Sequence, residues 1–515
     1  MKRRSFGHWL VRGGALTLGS AAGGCGAPGP RSAPSAAAGQ AVTRVSERSA
    51  PPPALPEPGP ALPLQVPARS EEVRGDNGLT LIVSPRPGLP LASVALLVRC
   101  GPAFDLPGRR GCAELLAQLL TRGALRRGRA VDGVALSRQA EALGGTVTVR
   151  VEERLIALEM TVLTPRIPAA LALLADLLRH PLLAAADLQS VRAQMRDALA
   201  LRRQDPAVLA ALVAHRTAWG RDAQGEVTTA ESVMAVRRDD VVALHRRWVR
   251  PDRVAVVLAG DIDLAGARAV VGPVLDDWRL TTEPPPAEPR EAPSDALAPV
   301  LAPTLLVHLP AAAQTSVLLC APFVGTDAPD HAAGTLAVAV MGAGYSARLN
   351  QEVRIRRGLS YGVSGRMEQQ RLTGLFVAAA QTDHAHAAEV AALMQSQLLG
   401  LVQQPVTPAE LAARRAALVG EFARQLDTTS GMVARIGGDW AMGGAPGHLA
   451  RWPQRLEAVT PGQVRAFAQR HWTPERLRTV IVGPIDRVLA GSAQPPGAVR
   501  LEGSSLVLDS PTLRR

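Results

Sequence analysis

The 515-residue chain is too long for one compact core, so its length sets an expectation of two to four domains. With 47% hydrophobic and 20% charged residues it is not a largely disordered chain, and with 3% aromatics it lacks the stacking platforms of a single-strand nucleic-acid binder. The net charge of +12 is almost all arginine, Lys2 being the only lysine, and no long basic run stands in the body of the chain. Nucleic acid is therefore not an expected partner.

The first 25 residues read as an export signal. Met1-Lys2-Arg3-Arg4-Ser5-Phe6 is a basic start, followed by a short, Gly-rich apolar stretch from Trp9 to Ala22 that is too short to span a bilayer. Arg3-Arg4-x-Phe6 resembles a twin-arginine signal, and Ala22-Gly23-Gly24-Cys25 resembles a lipoprotein cleavage box with Cys25 as the lipidated residue. Residues 26–70 hold eleven prolines and read as an extended tether. The expected location is thus outside the cytoplasm: periplasmic, with the body anchored to a membrane as a lipoprotein. Cys100, Cys112 and Cys320 sit in apolar contexts and are odd in number, which argues for buried free thiols and not a disulfide framework.

In chain order, 71–282 reads as a first α+β unit. Leu79–Ser84 and Ala92–Arg99 are apolar strand runs bounded by Asn77-Gly78, Pro85 and Pro90, a hairpin pattern. Gly111–Leu120 has helical spacing of apolar residues; Thr146–Glu152 and Leu155–Leu163 read as strands. Pro168–Leu178 and Ala184–Arg203 read as amphipathic helices, and Val254–Ala259 as a closing strand. Residues 283–303, rich in Pro, Ala and Glu, read as a linker. A second unit, 304–490, repeats the order: strands at Thr304–His308 and Ser316–Ala321, a helix at His331–Met341, strands near Tyr361–Met367 and Leu375–Gln381, then helices from Ala385. Residues 491–515 read as a tail.

The body repeats itself at an offset of 223. Val236/Val459, Val241/Val464, Pro251/Pro474, Val257/Val480, Gly260/Gly483 and Asp263/Asp486 match near the end of each unit, and Ser93/Ser316, Val94/Val317 and Leu96/Leu319 near its start. One offset at both ends implies two homologous domains, each expected to pack an antiparallel-rich sheet against helices.

Gly342-Ala343-Gly344-Tyr345-Ser346-Ala347-Arg348-Leu349-Asn350-Gln351-Glu352-Val353-Arg354, followed by Gly358-Leu359-Ser360-Tyr361-Gly362-Val363, carries a resemblance. Together with the domain-closing segments at 250–261 and 473–483, it is similar to the pitrilysin/insulinase family of zinc metallopeptidases in its small two-domain form, over about residues 71–488. The family's chemistry depends on H-x-x-E-H in the first domain, with two His on one helix face holding Zn²⁺, a Glu as general base and a later Glu as third ligand. Here Glu114 and Gln118 stand at the His positions, Ala117 at the base and Ala198 at the third ligand. The motif is degenerate, and no metal or other cofactor is expected in this chain. Cys112 falls off the face of Glu114 and Gln118. Asp383-His384-Ala385-His386 reads as a polar helix start capped by Thr382 or Asp383 and not as a ligand set.

The resemblance implies a different standing for the second domain. Arg354 and Tyr361 match a pair that binds peptide and stabilises the oxyanion. The alternative is that Arg354, Arg356 and Arg357 form a solvated helix end and Tyr361 is a core strand residue. The chain has only two tyrosines, and both fall in this motif. The resemblance implies a heteromeric peptidase in which a homologous partner subunit carries the zinc motif and the zinc, while this chain supplies Arg354 and Tyr361 to a peptide substrate. A non-catalytic scaffold on the same fold is the competing expectation.

Overall fold

The computed structural model describes residues 70–219, 225–280, 287–289, 302–444, 447–490, 493–510 and 512–514. The export signal, Cys25 and the tether up to residue 69 lie outside the described residues, as does most of the linker. The strands are β1 (Glu71–Arg74), β2 (Thr80–Pro85), β3 (Leu91–Val98), β4 (Gly123–Arg126), β5 (Arg129–Asp132), β6 (Thr148–Glu152), β7 (Leu155–Leu163) and β8 (Val254–Gly260) in the first half. The second half has β9 (Thr304–His308), β10 (Thr315–Val324), β11 (Ser360–Gln369), β12 (Thr373–Thr382), β13 (Arg478–Gly483) and β14 (Val499–Glu502).

Two six-stranded sheets follow one plan, β1-β2-β8-β3-β7-β6 and β11-β12-β10-β13-β9-β14. β8 and β13 run parallel to β2 and β9 respectively, and most other neighbours are antiparallel. The fold class is thus α+β with two homologous domains. The hairpin expected of β2 and β3 does not form, because β8 lies between them. Every residue of β8 is buried. A strand that apolar on both faces belongs in the middle of a sheet, and the turn-rich segment 86–90 is long enough to cross over it. Within the expected tail, β14 adds to the second sheet beside β9. Within the linker, Glu288 is tied to the first half by Arg154 at 2.7 Å and Arg253 at 2.6 Å.

The strand β3 is buried from Ala92 to Val98 because both of its faces are covered. Val94, Leu96 and Val98 face Leu115, Leu116, Leu171 and Leu174 of the first half's own helices Cys112–Leu119 and Ile167–Arg179. Ala95 and Leu97 belong to a different core, with Met432, Val433, Ile436 and Trp440 of the helix Thr429–Ala441, which comes from the second half. The exchange is reciprocal. Leu209, Val213 and Ala214 of the helix Pro206–Ala218 pack on Leu318, Cys320, Val480 and Val482 of the second sheet. The two exchanged helices have 13 residues each and start 223 apart, the same offset as the sequence repeat. Polar contacts fix the exchange: Ser93 bonds Thr429 at 2.8 Å, and Arg99 donates to Trp440 O at 2.7 Å with its guanidinium 4.2 Å from the indole. On the other side, Thr229 donates to Asp509 at 2.9 Å.

Candidate functional site

The degenerate motif occupies the helix Cys112–Leu119. The helix begins after Gly111, whose φ of +100° is open to glycine, and a Cβ there would meet Val233 at 2.8 Å and Thr228 at 2.9 Å. The Asp105 carboxylate caps the helix from the preceding loop, accepting from the Gly111 and Ala113 N–H groups at 2.8 Å each. Burial pushes that carboxyl up to about 7 despite the two backbone donors and Arg110.

Glu114 sits on the first turn. Its Oε2 is buried without a hydrogen-bond partner, and burial raises its pKa against the opposing influence of the Thr228 hydroxyl and Arg110. Arg110 itself is engaged by Pro102 O and by Glu153 at 2.6 Å. Ala117 is buried, Gln118 is exposed, and Ala198 is exposed on the helix Ala185–Arg202. The Cys112 thiol is buried and its pKa raised by burial, which keeps it a neutral thiol. A single carboxyl, a solvent-facing amide and two methyl side chains do not fit Zn²⁺, which takes several imidazole, thiolate or carboxylate ligands together. Among the described residues, no three or more His, Cys, Asp or Glu side chains gather as a metal site. His384 and His386 go separate ways, to Thr315 at 2.9 Å and Glu389 at 3.8 Å. Their helical turn starts after Asp383 with no side-chain cap, contrary to expectation.

The second half holds its motif quite differently. The helix His331–Gly342 crosses β11 where Gly342 meets the backbone of Gly365, a contact with no room for a Cβ on either residue. The chain then makes a loop, one short turn at Arg348–Asn350 and a π-helical turn at Gln351–Arg356. π-Turns are rare and recur at functional sites. Three of the four arginines here are ion-paired: Arg348 with Glu410 at 2.7 Å, and Arg356 and Arg357 with Glu352 at 2.8 and 2.9 Å. Arg354 has no ion pair among the described residues, and its guanidinium lies 5.5 Å above the Tyr345 ring. Tyr361 is 88% exposed, on an edge strand where the β11–β12 register shifts between Ser360 and Val363. It is therefore not a core strand residue, whereas Arg354, Arg356 and Arg357 are all exposed, as a solvated helix end would be, the last two with Glu352 as partner. The structure brings Arg354 and Tyr345 together and leaves Tyr361 projecting from the adjoining bulge.

Sequence reasoning missed two contributors. Asp105 lies too far ahead of its helix to read as a cap. Asn350, 4% exposed, donates from Nδ2 to Tyr345 O at 2.8 Å and accepts at Oδ1 from Val363 N–H at 3.3 Å. Its placement between the two tyrosines in the motif was the available signal.

The family model of insulinase, peptidase family M16, matches residues 81–229, and that of the peptidase M16 inactive domain matches residues 235–418. The chain belongs to the insulinase family M16. The boundary between the two family models precedes β8, the strand that completes the first sheet of this M16 protein. An uncharacterized zinc protease of Mycobacterium bovis is 26% identical over 410 residues, covering 79% of this chain and 92% of that protein. A non-peptidase homolog of Helicobacter pylori is 24% identical over 347 residues, covering 66% and 77%. The crystal structure of a peptidase M16 inactive domain from Pseudomonas fluorescens shares the fold, with a TM-score of 0.73 at 23% identity over 81% of this chain and 98% of that one.

Proposed function

We propose that this chain is the non-zinc subunit of a heteromeric M16 peptidase and supplies Arg354 and Tyr361 in trans to a homologous, zinc-bearing subunit. The observation that carries this reading is the contrast within one motif. Among the described residues Arg354 is its arginine without an ion pair and Tyr361 is 88% exposed, in a chain whose first-half helix offers no zinc ligand set. A peptide would lie extended along a sheet edge of the partner. The Tyr361 hydroxyl would donate to the oxyanion that develops at the scissile carbonyl, a contact worth roughly 3 kcal/mol in comparable sites. Arg354 would hold a neighbouring carbonyl of the peptide.

The test is reconstitution. Purified alone after dialysis against trace zinc, the chain is expected to hold far less than one zinc and to cleave no peptide. Mixed with an H-x-x-E-H homologue from the same cell, it is expected to co-purify and to raise cleavage above that of the homologue alone. Near-stoichiometric zinc in the isolated chain would sink the reading. The non-catalytic scaffold is the second reading, favoured by the likeness to a non-peptidase homolog; binding to the homologue without any gain in cleavage would put it first.

The same proposal places the body outside the cytoplasm, tethered through Cys25 and the Pro-rich segment 26–70. Cys25→Ser is expected to move the protein from the membrane pellet to the soluble periplasmic fraction. An unchanged distribution on cell fractionation would remove lipidation from the account.

A further inference from the structure

Arg354 and Tyr361 come from a helical turn and a strand bulge, joined through Gly358 and Leu359, whose N–H groups donate to Arg354 O at 3.0 Å and Val353 O at 2.9 Å. For the pair to act at one peptide bond, something has to hold their spacing. Ion pairs do not do it: Glu352 secures Arg356 and Arg357, Glu410 secures Arg348, and none of these pairs includes a residue of β11. Arg414 donates to Ala343 O and to Ser346 Oγ, pinning the loop on the helix side only.

One buried side chain does reach both elements. Asn350 Nδ2 donates to Tyr345 O, which also accepts from Gln351 Nε2 at 3.2 Å, so the backbone of Tyr345 is fixed twice. The ring of that residue is the surface on which the Arg354 guanidinium rests, within the range of a cation–π contact. Asn350 Oδ1 accepts from Val363 N–H, two residues after Tyr361. β11 is the edge of its sheet. The amide oxygen of Asn350 thus gives Val363 N–H a partner at the place where the ladder is broken by the bulge. Ser360 closes the other side of the bulge, donating to Gln381 O at 2.7 Å and accepting from Gly362 N–H at 3.2 Å. An amide is the side chain suited to this task, because it presents one donor and one acceptor on a rigid plane.

We infer that Asn350 is the positioning residue that locks Arg354, through Tyr345, and Tyr361, through Val363, into one geometry. The inference rests on the trans role proposed for the pair, and its test separates the two. Hydrogen–deuterium exchange on the full, isolated chain reads the tie directly. Asn350→Leu is expected to speed exchange at least tenfold both at Val363 and in the stretch 343–351. Asn350→Asp keeps an acceptor for Val363 N–H but loses the donor to Tyr345 O. It should speed exchange in 343–351 and spare Val363, and it serves as the second variant if the Leu substitution fails to fold. Unchanged exchange at both places in either folded variant overturns the inference.

In the reconstituted complex, Asn350→Leu should lower kcat by about 10- to 100-fold. In a Tyr361→Phe background it should cost clearly less, because only Arg354 is left for it to position. The same large factor in both backgrounds would mean a general structural role and would also overturn it. Faster exchange at both places combined with full kcat would leave the tie standing and remove the catalytic role of the pair.

Discussion

The two halves of the molecule share a strand plan and an offset of 223, yet they treat the equivalent of one active site in opposite ways. In the first half, the helix that carries metal ligands in the wider family is packed over and capped. Glu114 has a buried Oε2 and a raised pKa, Asp105 closes the N-terminus, and Ala117 is part of the core. In the second half, ion pairs secure the arginines around Arg354 and leave Arg354 and Tyr361 available. The contrast teaches that equivalent regions of two homologous domains can be packed away in one and left exposed in the other. It also gives a physical criterion for telling a relic from a working residue, namely whether surrounding charges have been satisfied without it.

Four substitutions can break or sharpen the comparison. The largest effect is expected from Trp440→Ala, which removes an indole from the helix that covers the first sheet and leaves Arg99 without its ring. Truncation of a buried aromatic costs about 3–5 kcal/mol. Because each sheet is covered by the other half, denaturant unfolding followed by fluorescence should show one weakened transition for the whole body. Two separate transitions, with the second half unaffected, would mean that the halves are independent. Next is Tyr361→Phe in the reconstituted complex, expected to lower kcat by roughly 10²- to 10³-fold with little change in KM. Tyr345→Phe should be near neutral, since the ring that carries Arg354 and the backbone carbonyl held by Asn350 both remain. Equal losses from the two tyrosines would erase the distinction between the acting residue and its support.

The smallest effect, read at low pH, belongs to Asp105. Its folded-state pKa of about 7 is above its ordinary value of 3.8, so the folded protein retains a proton that the unfolded chain has released. The associated stability is present below about pH 4 and is lost as pH rises through about 7, with a slope of at most about 1.4 kcal/mol per pH unit. Asp105→Asn should flatten that slope in urea titrations between pH 4 and pH 7. An unaltered slope would show that another group carries it. The same exchange should cost on the order of 1 kcal/mol at low pH through a weaker cap.

Much of the fold was legible because periodicity is local. Leu155–Leu163 is the strand β7 as read, and the helices Ile167–Arg179 and Ala185–Arg202 differ from their expected limits by one residue at each end. What could not be read is partner choice. β2 and β3 are neighbours in sequence, but the strand between them lies far along the chain, at Val254–Gly260, and nothing in their own pattern names it. The largely apolar run of β3 signalled that both faces are covered without saying that one cover comes from the other half. At the site, Arg354 and Tyr361 were legible because the motif names them by side chain and spacing. The hold on Tyr345 was not, because its acceptor is a backbone carbonyl, which every residue possesses.

The reciprocal exchange of helices also constrains how this chain comes into being. Ser84 and its partner Met432 are 348 residues apart, and Arg86 and Leu426 are 340 apart. A nascent chain leaves the ribosome at about 5–20 residues per second, so the first sheet stays uncovered on one face for on the order of tens of seconds after its first strands are made. Throughout that interval Ala95, Leu97, Leu155 and Ala157 present an apolar sheet face to the cytosol, joined by Val257 once β8 is made. The first sheet of such a protein gains its second cover only near the end of synthesis.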